Sequence, residues 1–233
     1  MELPVSPNCL VVFVDDTGHE LLLGEHGTYG LGGCATLGSH LDALIRDPWR
    51  MVRYRVTGSK GGQLHAAQFG QTASKQDIHA VADFFRSQAF SRFGAIVTLA
   101  TQLSDQLTAV QAIARVLGNR IADIAKWIPF DEIKVVIESS ERADHLLEEA
   151  FQGMSLQMDG KPAPLDFYFM PKAAADPALE VADFVMHATG RQARRQLAGK
   201  AGFAPDFAAV FQSVDSKLVS FLNVSSVVAD PKK

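Results

Sequence analysis

The stretch LVVFVDDTGHE, Leu10 to Glu20, begins as an apolar run and ends in two adjacent aspartates and a glycine. A continuous run of valine and phenylalanine is typical of a strand that is covered on both faces of a sheet. We therefore predict a buried first strand over Cys9–Val14, with Asp15 and Asp16 where it stops. The alternative for this acidic end is an ordinary turn, in which aspartate side chains bond to their own backbone.

The pattern of the remaining chain predicts an α/β fold. Two extended segments, Leu21–Leu23 and Tyr29–Leu37, follow the first strand and suggest a meander. From residue 93 onward, apolar strands alternate with periodic helices, the first of which is expected to begin near Ser104. Such alternation gives a sheet with parallel crossovers. Residues 39–91 open with a short helix around Leu41 to Ile45, and we interpret them as an insertion into a single domain that spans residues 1–233.

Composition limits the class of protein and its location. A chain of 233 residues with 47% hydrophobic content can bury a sizeable core. The formal net charge of -4 does not indicate a general polyanion binder, although a local basic patch could still exist. The two cysteines, Cys9 and Cys34, are too few for a disulfide framework. With no signal-like or membrane-spanning apolar segment in the sequence, we expect a cytoplasmic protein with no membrane partner.

Three separated elements each place an acid where a site could form. Asp15 follows the first strand, Glu138 ends the strand IKVVIE, and Asp183 lies in the apolar helical stretch LEVADFVMHA. Sites in α/β sheets form outside the carboxyl ends of parallel strands, so these acids could share a crevice. Clustered carboxylates repel one another, and a hard divalent cation reverses that cost. Oxygen ligands of this kind suit Mg²⁺ or Mn²⁺, with Asp16 as an auxiliary ligand.

Glu138 and Asp183 also have explanations that need no ligand. Glu138 precedes a helix expected from about Ser140, and the helix dipole favours a carboxylate at that place. Asp183 could instead belong to a solvated stripe, because helical residues three or four positions apart share a face. The members of that stripe would be Glu180, Asp183, His187 and Arg191.

Two motifs resemble the domain of unknown function 3800 family, which is assigned to the ribonuclease H-like superfamily. The family has a hydrophobic strand that runs into aspartate, an acid, serine or threonine, and glycine, which FVDDTG, Phe13–Gly18, matches before the glycine-containing strand YGLGGCA. Its leucine-glutamine-x-alanine-aspartate helix is matched by Leu179–Val185, with Glu180 in place of glutamine. LHAAQF, Leu64–Phe69, resembles a histidine-alanine segment of the family, and Gln63 stands where an acid often precedes it.

The resemblance implies a ribonuclease H-like three-layer fold, in which a mixed central sheet is flanked by helices and residues 39–91 are inserted after the early strands. In that superfamily the first strand, the end of the fourth strand and the last helix supply metal-binding acids, here Asp15, Glu138 and Asp183. The implied activity is that of a divalent-metal-dependent nuclease or phosphotransfer enzyme that acts on phosphodiesters. The alternative is a non-catalytic ribonuclease H-like interaction module, which could act as a homodimer.

Two basic clusters are candidates for binding DNA or RNA. The segment Arg46–Lys60 interleaves arginines with Trp49 and Tyr54, so it could hold a phosphate backbone and stack a base. The alternative is an amphipathic edge strand whose arginines lie in solvent or pair with acids elsewhere. The second cluster follows Asp183 along its helix, where the dipole alone favours cations. The predicted substrate-binding residues are Arg50, Arg53, Arg55, His65 and Arg191.

Overall fold

The fold is built around one mixed sheet. The computed structural model describes residues 3–22, 27–98, 108–126, 129–152, 154, 156–158, 161–163, 165–211 and 219–221. The strands of the sheet are β1 Cys9–Gly18, β2 Thr28–Leu37, β3 Ser91–Thr98, β4 Glu132–Glu138, β7 Leu165–Met170 and β8 Val219–Phe221. A separate hairpin pairs β5 Leu156–Met158 with β6 Lys161–Ala163.

Helices cover both faces of this sheet. They are α1 Gly38–Leu41, α2 Asp47–Thr57, α3 Ala66–Thr72, α4 Lys75–Ser87, α5 Ala109–Ala125, α6 Asp144–Phe151, α7 Pro177–Leu197 and α8 Pro205–Phe211. A π-helical turn, Asp42–Arg46, joins α1 to α2, and a 3-10 turn, Lys172–Ala174, precedes α7. One apolar core lies between the sheet and α5 with α6, and the other lies between the sheet and α7, α8 and the helices that follow β2. None of the helices in the described ranges is long and apolar enough to cross a membrane.

The strand order confirms the predicted ribonuclease H-like fold. The sheet runs β7-β4-β1-β2-β3-β8. Strands β1, β2 and β3 form an antiparallel meander, and β4 and β7 continue the sheet parallel to β1 on its other side. The meander followed by parallel strands with intervening helices is the order that the resemblance implies. Four helices lie between β2 and β3, within the segment interpreted as an insertion.

The first strand is longer than its apolar run. It continues to Gly18, so Asp15 and Asp16 lie inside the strand, where they pair with Gly32 and Leu31 of β2. The predicted turn at this acidic end is therefore wrong. A turn is needed only after Gly18, which has a φ of 87° and whose added Cβ would lie 2.0 Å from the Thr28 carbonyl oxygen.

Three further predictions from the early part of the chain need correction. The segment Leu21–Leu23 is not a strand, because Leu21 lies in a turn, Leu22 has a φ of 54° and Leu23 lies outside the described residues. The basic stretch is helical over Asp47–Thr57, so the edge-strand alternative is wrong. The short helix around Leu41 extends through the π-helical turn into α2. The helix start expected near Ser104 lies outside the described residues. Within the described residues, α5 begins at Ala109.

The glycines of β2 let α7 pack closely on the sheet. A Cβ added to Gly33 would lie 2.1 Å from the Phe13 carbonyl oxygen and 2.8 Å from Ala182 Cβ on α7. Neither atom can move without shifting backbone, because the Phe13 oxygen belongs to the central strand and Ala182 Cβ is bonded directly to the α7 backbone. This close packing places the N-terminal half of α7 directly over the acidic end of β1.

Gly33→Ala is expected to lower the free energy of unfolding by about 1 to 3 kcal/mol, since overpacking of a well-packed interface forces the backbone to shift. Urea denaturation followed by circular dichroism measures the change. Gly61→Ala is the matched control, because an added Cβ there meets only Ser59 Oγ, at 3.7 Å. Equal urea midpoints for the two variants would contradict the close-packing account.

Candidate functional site

Asp15 and Glu138 lie side by side where the parallel pairing of β1 and β4 stops. The register of β1 and β4 pairs Val14 with Ile137, and each acid is the next residue on its strand. Asp15 is 8% exposed, whereas Glu138 is partly open to solvent. The sheet edge thus places both acids at one end, as expected for a site in an α/β fold.

Asp183 faces this end of the sheet from α7. Its Oδ2 accepts a hydrogen bond of 2.9 Å from the backbone N–H of Ala66, the first residue of α3. Burial raises the pKa of Asp183, an effect that the Ala66 hydrogen bond and Lys172 oppose. The solvated stripe is not what the structure contains, because Glu180 is only 8% exposed and Asp183 is itself partly buried.

The carboxylates of the site repel one another. The pKa of Asp15 lies well above its usual range because of burial first, and then because of the charges of Asp183, Glu138 and Asp16. The hydrogen bond of 2.8 Å from the Asp16 N–H to Asp15 Oδ1 opposes this rise only in part. Folding therefore holds several acids together at an electrostatic cost.

Lys172 supplies the positive charge nearest to these acids. Its Nζ lies 3.1 Å from Glu138 Oε2. Burial by itself would lower the pKa of Lys172, but the hydrogen bond and charge of Glu138, together with the charges of Asp15 and Asp183, raise it. One ammonium group thus interacts with all three acids. Lys172 was not predicted from the sequence. It follows β7 and Pro171 at the carboxyl end of the third parallel strand, and sites in α/β sheets form at such ends.

Asp16 belongs to a neighbouring group on the other side of the strand. Arg142 places its Nε 2.7 Å from Glu20 Oε2 and its Nη2 3.7 Å from Asp16 Oδ2. Burial raises the pKa of Asp16, and Arg142 partly offsets this rise. Neither Glu20 nor Arg142 was predicted to matter, because each lies in a turn that the sequence pattern does not connect to the strand.

The predicted substrate-binding residues lie in three different surroundings. His65 lines a small cavity with Glu138, Lys172 and Asp183, next to the acids. Arg191 lies further along α7, with its Nη1 3.2 Å from Asp206 Oδ2. The three arginines of the basic stretch lie on α2, where Arg50 forms an ion pair with Asp47, Arg55 is exposed and Arg53 is buried.

Two buried ion pairs join the segment after β2 to the first turn of α7. Arg46 bonds to Asp176 through Nη2, at 2.6 Å, and Nε, at 3.2 Å. Arg53 bonds to Glu180 through Nη2, at 2.7 Å, and Nε, at 3.0 Å. Trp49 Nε1 donates a third bond to Glu180, at 2.8 Å. The acid that replaces the expected glutamine at position 180 is therefore the partner of an arginine inside the protein.

The acids suit a divalent cation in their chemistry but are engaged with other groups. In the described ranges, no three His, Cys, Asp or Glu side chains are grouped so that they could hold a metal ion as they stand. Glu138 bonds to Lys172 and Asp183 bonds to the Ala66 N–H. Carboxylate oxygens that repel one another are nevertheless the ligands that Mg²⁺ and Mn²⁺ prefer. Coordination would require Glu138 and Asp183 to turn away from these partners.

No protein-family model matches the chain, and no curated protein matches it. Among solved structures, it is similar to one described as the PCNA:RNase HII complex from Archaeoglobus fulgidus, at 13% sequence identity and a TM-score of 0.43, over 87% of each chain. At this level of similarity the fold assignment rests on the strand order described above.

Proposed function

We propose that the protein is a divalent-metal-dependent nuclease or phosphotransfer enzyme that acts on phosphodiesters. Asp15, Glu138 and Asp183 would hold Mg²⁺ or Mn²⁺, with Asp16 as an auxiliary acceptor. The observation that carries the proposal is the arrangement of the three acids. Asp15 and Glu138 lie at matching positions on the neighbouring parallel strands β1 and β4, the third acid faces them from α7, and the Lys172 ammonium interacts with all three.

The residues around the acids would divide the work of such a reaction. A divalent ion held there would act as a Lewis acid on the phosphodiester and lower the pKa of an attacking water. Lys172 is 59% exposed at its side chain, so its ammonium could pass from Glu138 to a phosphate oxygen. His65 lies in the same small cavity and could donate to the substrate. The hydrogen bond from the Ala66 N–H orients the Asp183 carboxylate.

We also propose that residues 1–233 form one ribonuclease H-like domain of the domain of unknown function 3800 family, with an insertion at about 39–91. FVDDTG, Phe13–Gly18, and LEVADFV, Leu179–Val185, support the family. The Arg46–Asp176 and Arg53–Glu180 ion pairs support a single domain, because they join the segment after β2 to α7.

Asp183→Asn is expected to weaken Mn²⁺ binding and to reduce cleavage about a thousandfold, because the Lewis acid supplies several kcal/mol of transition-state stabilisation. Isothermal titration with Mg²⁺ and Mn²⁺ measures binding, and gel assays of labelled DNA and RNA measure cleavage. Asp166→Asn, on the exposed side of β7, is the matched control and should behave as the wild type. If neither metal binds the wild type at millimolar concentration and no DNA or RNA is cut, the enzyme proposal is wrong.

The same titration tests the second candidate, a non-catalytic ribonuclease H-like interaction module. The observation that favours it is the hydrogen bond from Lys172 to Glu138. This ammonium group already supplies the carboxylates with a positive charge, which a metal ion would otherwise provide. Such a module would show the Glu138–Lys172 contact unchanged with and without metal. It would also bind its partner equally well in the wild type and in Asp183→Asn.

A further inference from the structure

Two adjoining cavities lie along α7, beginning one helical turn beyond Asp183. The first has a volume of about 570 Å³ and is basic, and we call it the basic cavity. The second has a volume of about 240 Å³ and is lined mainly by apolar side chains, and we call it the apolar cavity. Gly70, His187, Arg191 and Pro205 line both cavities, so the two are continuous at these residues.

Two cations of the basic cavity, Arg194 and Lys200, have no side-chain partner in the described part of the chain. Arg195 donates to the carbonyl oxygens of Gly202 and Ala201, and Arg191 is paired with Asp206. Within the part of the chain that the structure describes, the Arg194 guanidinium makes no hydrogen bond or ion pair. Burial lowers its pKa, and the charge of Arg191 lowers it further. An anion in this cavity would relieve the repulsion between the two arginines, and the exposed Lys200 would assist it.

Aromatic and aliphatic side chains line the apolar cavity. Phe69 and Phe184 line it, with ring centroids 5.3 Å apart in an edge-to-face arrangement. Ile78 lines it too and is half exposed. At the border with the basic cavity, both oxygens of Asp206 are buried and accept no hydrogen bond in the described structure, although the carboxylate is paired with Arg191. A ring that carries an amino group could fill the cavity and donate to this carboxylate.

We propose that single-stranded nucleic acid binds across the two cavities, with one base in the apolar cavity and its backbone phosphate on Arg194 and Lys200. An apolar cavity next to phosphate-binding cations suits a base that is splayed out of a stack, which a single strand offers and a duplex does not. Asp206 would accept a hydrogen bond from the amino group of cytosine or adenine. The inference rests on the proposed function, because α7 carries both Asp183 and the residues that line the two cavities. It names single strands as the substrate class.

Binding of short fluorescein-labelled oligonucleotides, followed by anisotropy in EDTA, tests this inference without any need for cleavage. Arg194→Gln and Lys200→Gln are each expected to weaken single-strand binding about tenfold, since each removes one charged hydrogen bond to phosphate. Lys126→Gln, an exposed lysine on the opposite face of the sheet, is the control and should bind as the wild type. Thermal unfolding curves check that every variant is folded.

A second variant tests the apolar cavity separately. Ala209→Trp fills it from α8 and is expected to weaken single-strand binding about tenfold, because stacking contributes substantially to the affinity for each base.

Oligo(dC) should bind more tightly than oligo(dT), and RNA strands are compared with DNA strands of the same sequence. Wild-type binding to a duplex as tightly as to a single strand, or equal effects of Arg194→Gln and Lys126→Gln, would overturn the inference. Because no metal is present, a failure of cleavage alone leaves these outcomes unaffected.

Discussion

Asp15→Asn is expected to abolish phosphodiester cleavage and, at the same time, to raise the free energy of unfolding at neutral pH by about 1 to 2 kcal/mol. Asp15 is buried among Asp183, Glu138 and Asp16, which repel its charge. Asparagine keeps the shape of the side chain and can still accept the hydrogen bond from the Asp16 N–H. It therefore removes the repulsion and leaves the packing intact, whereas the proposed metal loses a charged ligand.

The stability gain should depend on pH with a defined sign. Well below pH 3.8, the Asp15 carboxyl is mostly protonated in the folded and in the unfolded chain. As the pH rises above 3.8, the unfolded chain ionises first, because the folded pKa of Asp15 is raised. The wild type therefore loses stability relative to Asp15→Asn over this range, until the pH passes the folded pKa.

Urea denaturation of the wild type and Asp15→Asn at a series of pH values measures this difference. Asp166→Asn is again the control, and its difference from the wild type should not grow with pH, because Asp166 is exposed. If the difference between Asp15→Asn and the wild type does not grow at all as the pH rises from 3.8, Asp15 is not held against a repulsive field.

Arg53→Ala is expected to lower the free energy of unfolding by about 3 to 5 kcal/mol, the cost of leaving a buried charge without its partner. Arg53 and Glu180 are 4% and 8% exposed. Without the guanidinium, only the Trp49 indole N–H would remain to hold the Glu180 carboxylate. Chemical denaturation measures the loss, and the same variant should also reduce activity, because Glu180 lies one helical turn before Asp183.

Two companions make the Arg53 experiment specific. Arg55→Ala removes an exposed arginine from the same helix, and its effect should stay within about 0.5 kcal/mol. The double variant Arg53→Met, Glu180→Leu should recover part of the stability, because apolar replacement of both partners removes the unpaired charge but leaves the Trp49 indole N–H without its acceptor. Similar losses in Arg53→Ala and Arg55→Ala would mean that the ion pair contributes little.

The sequence was enough to predict the sheet and to single out three acids, whose role as a site stays a prediction. Asp15 and Glu138 follow valine-rich runs, and the carboxyl ends of such strands meet at one edge of the sheet. Asp183 could be singled out because its helical neighbours are apolar. These are local patterns, and local patterns are what a single sequence carries. The end of β1 was missed for the same reason, because the pairing of Asp15 and Asp16 with β2 is not visible in the run itself.

The partners of the charged residues could not be predicted. Arg53 and Glu180 are separated by 127 positions, and Arg46 and Asp176 by 130. Nothing in the spacing of a single sequence connects groups so distant. The pattern therefore left phosphate, solvent or an acid elsewhere in the chain open as the partner of Arg53, and the folded chain supplies a particular acid, Glu180.

The two buried ion pairs also affect how this chain could have diverged. Asp176 and Glu180 each depend on an arginine from the segment after β2. Deletion of that segment would therefore leave both buried acids without their partners. A lineage that shortened it would have to exchange both acids for neutral residues in the same series of changes. Glu180 therefore serves as a marker: relatives with a glutamate there should also have an arginine at the position that corresponds to 53.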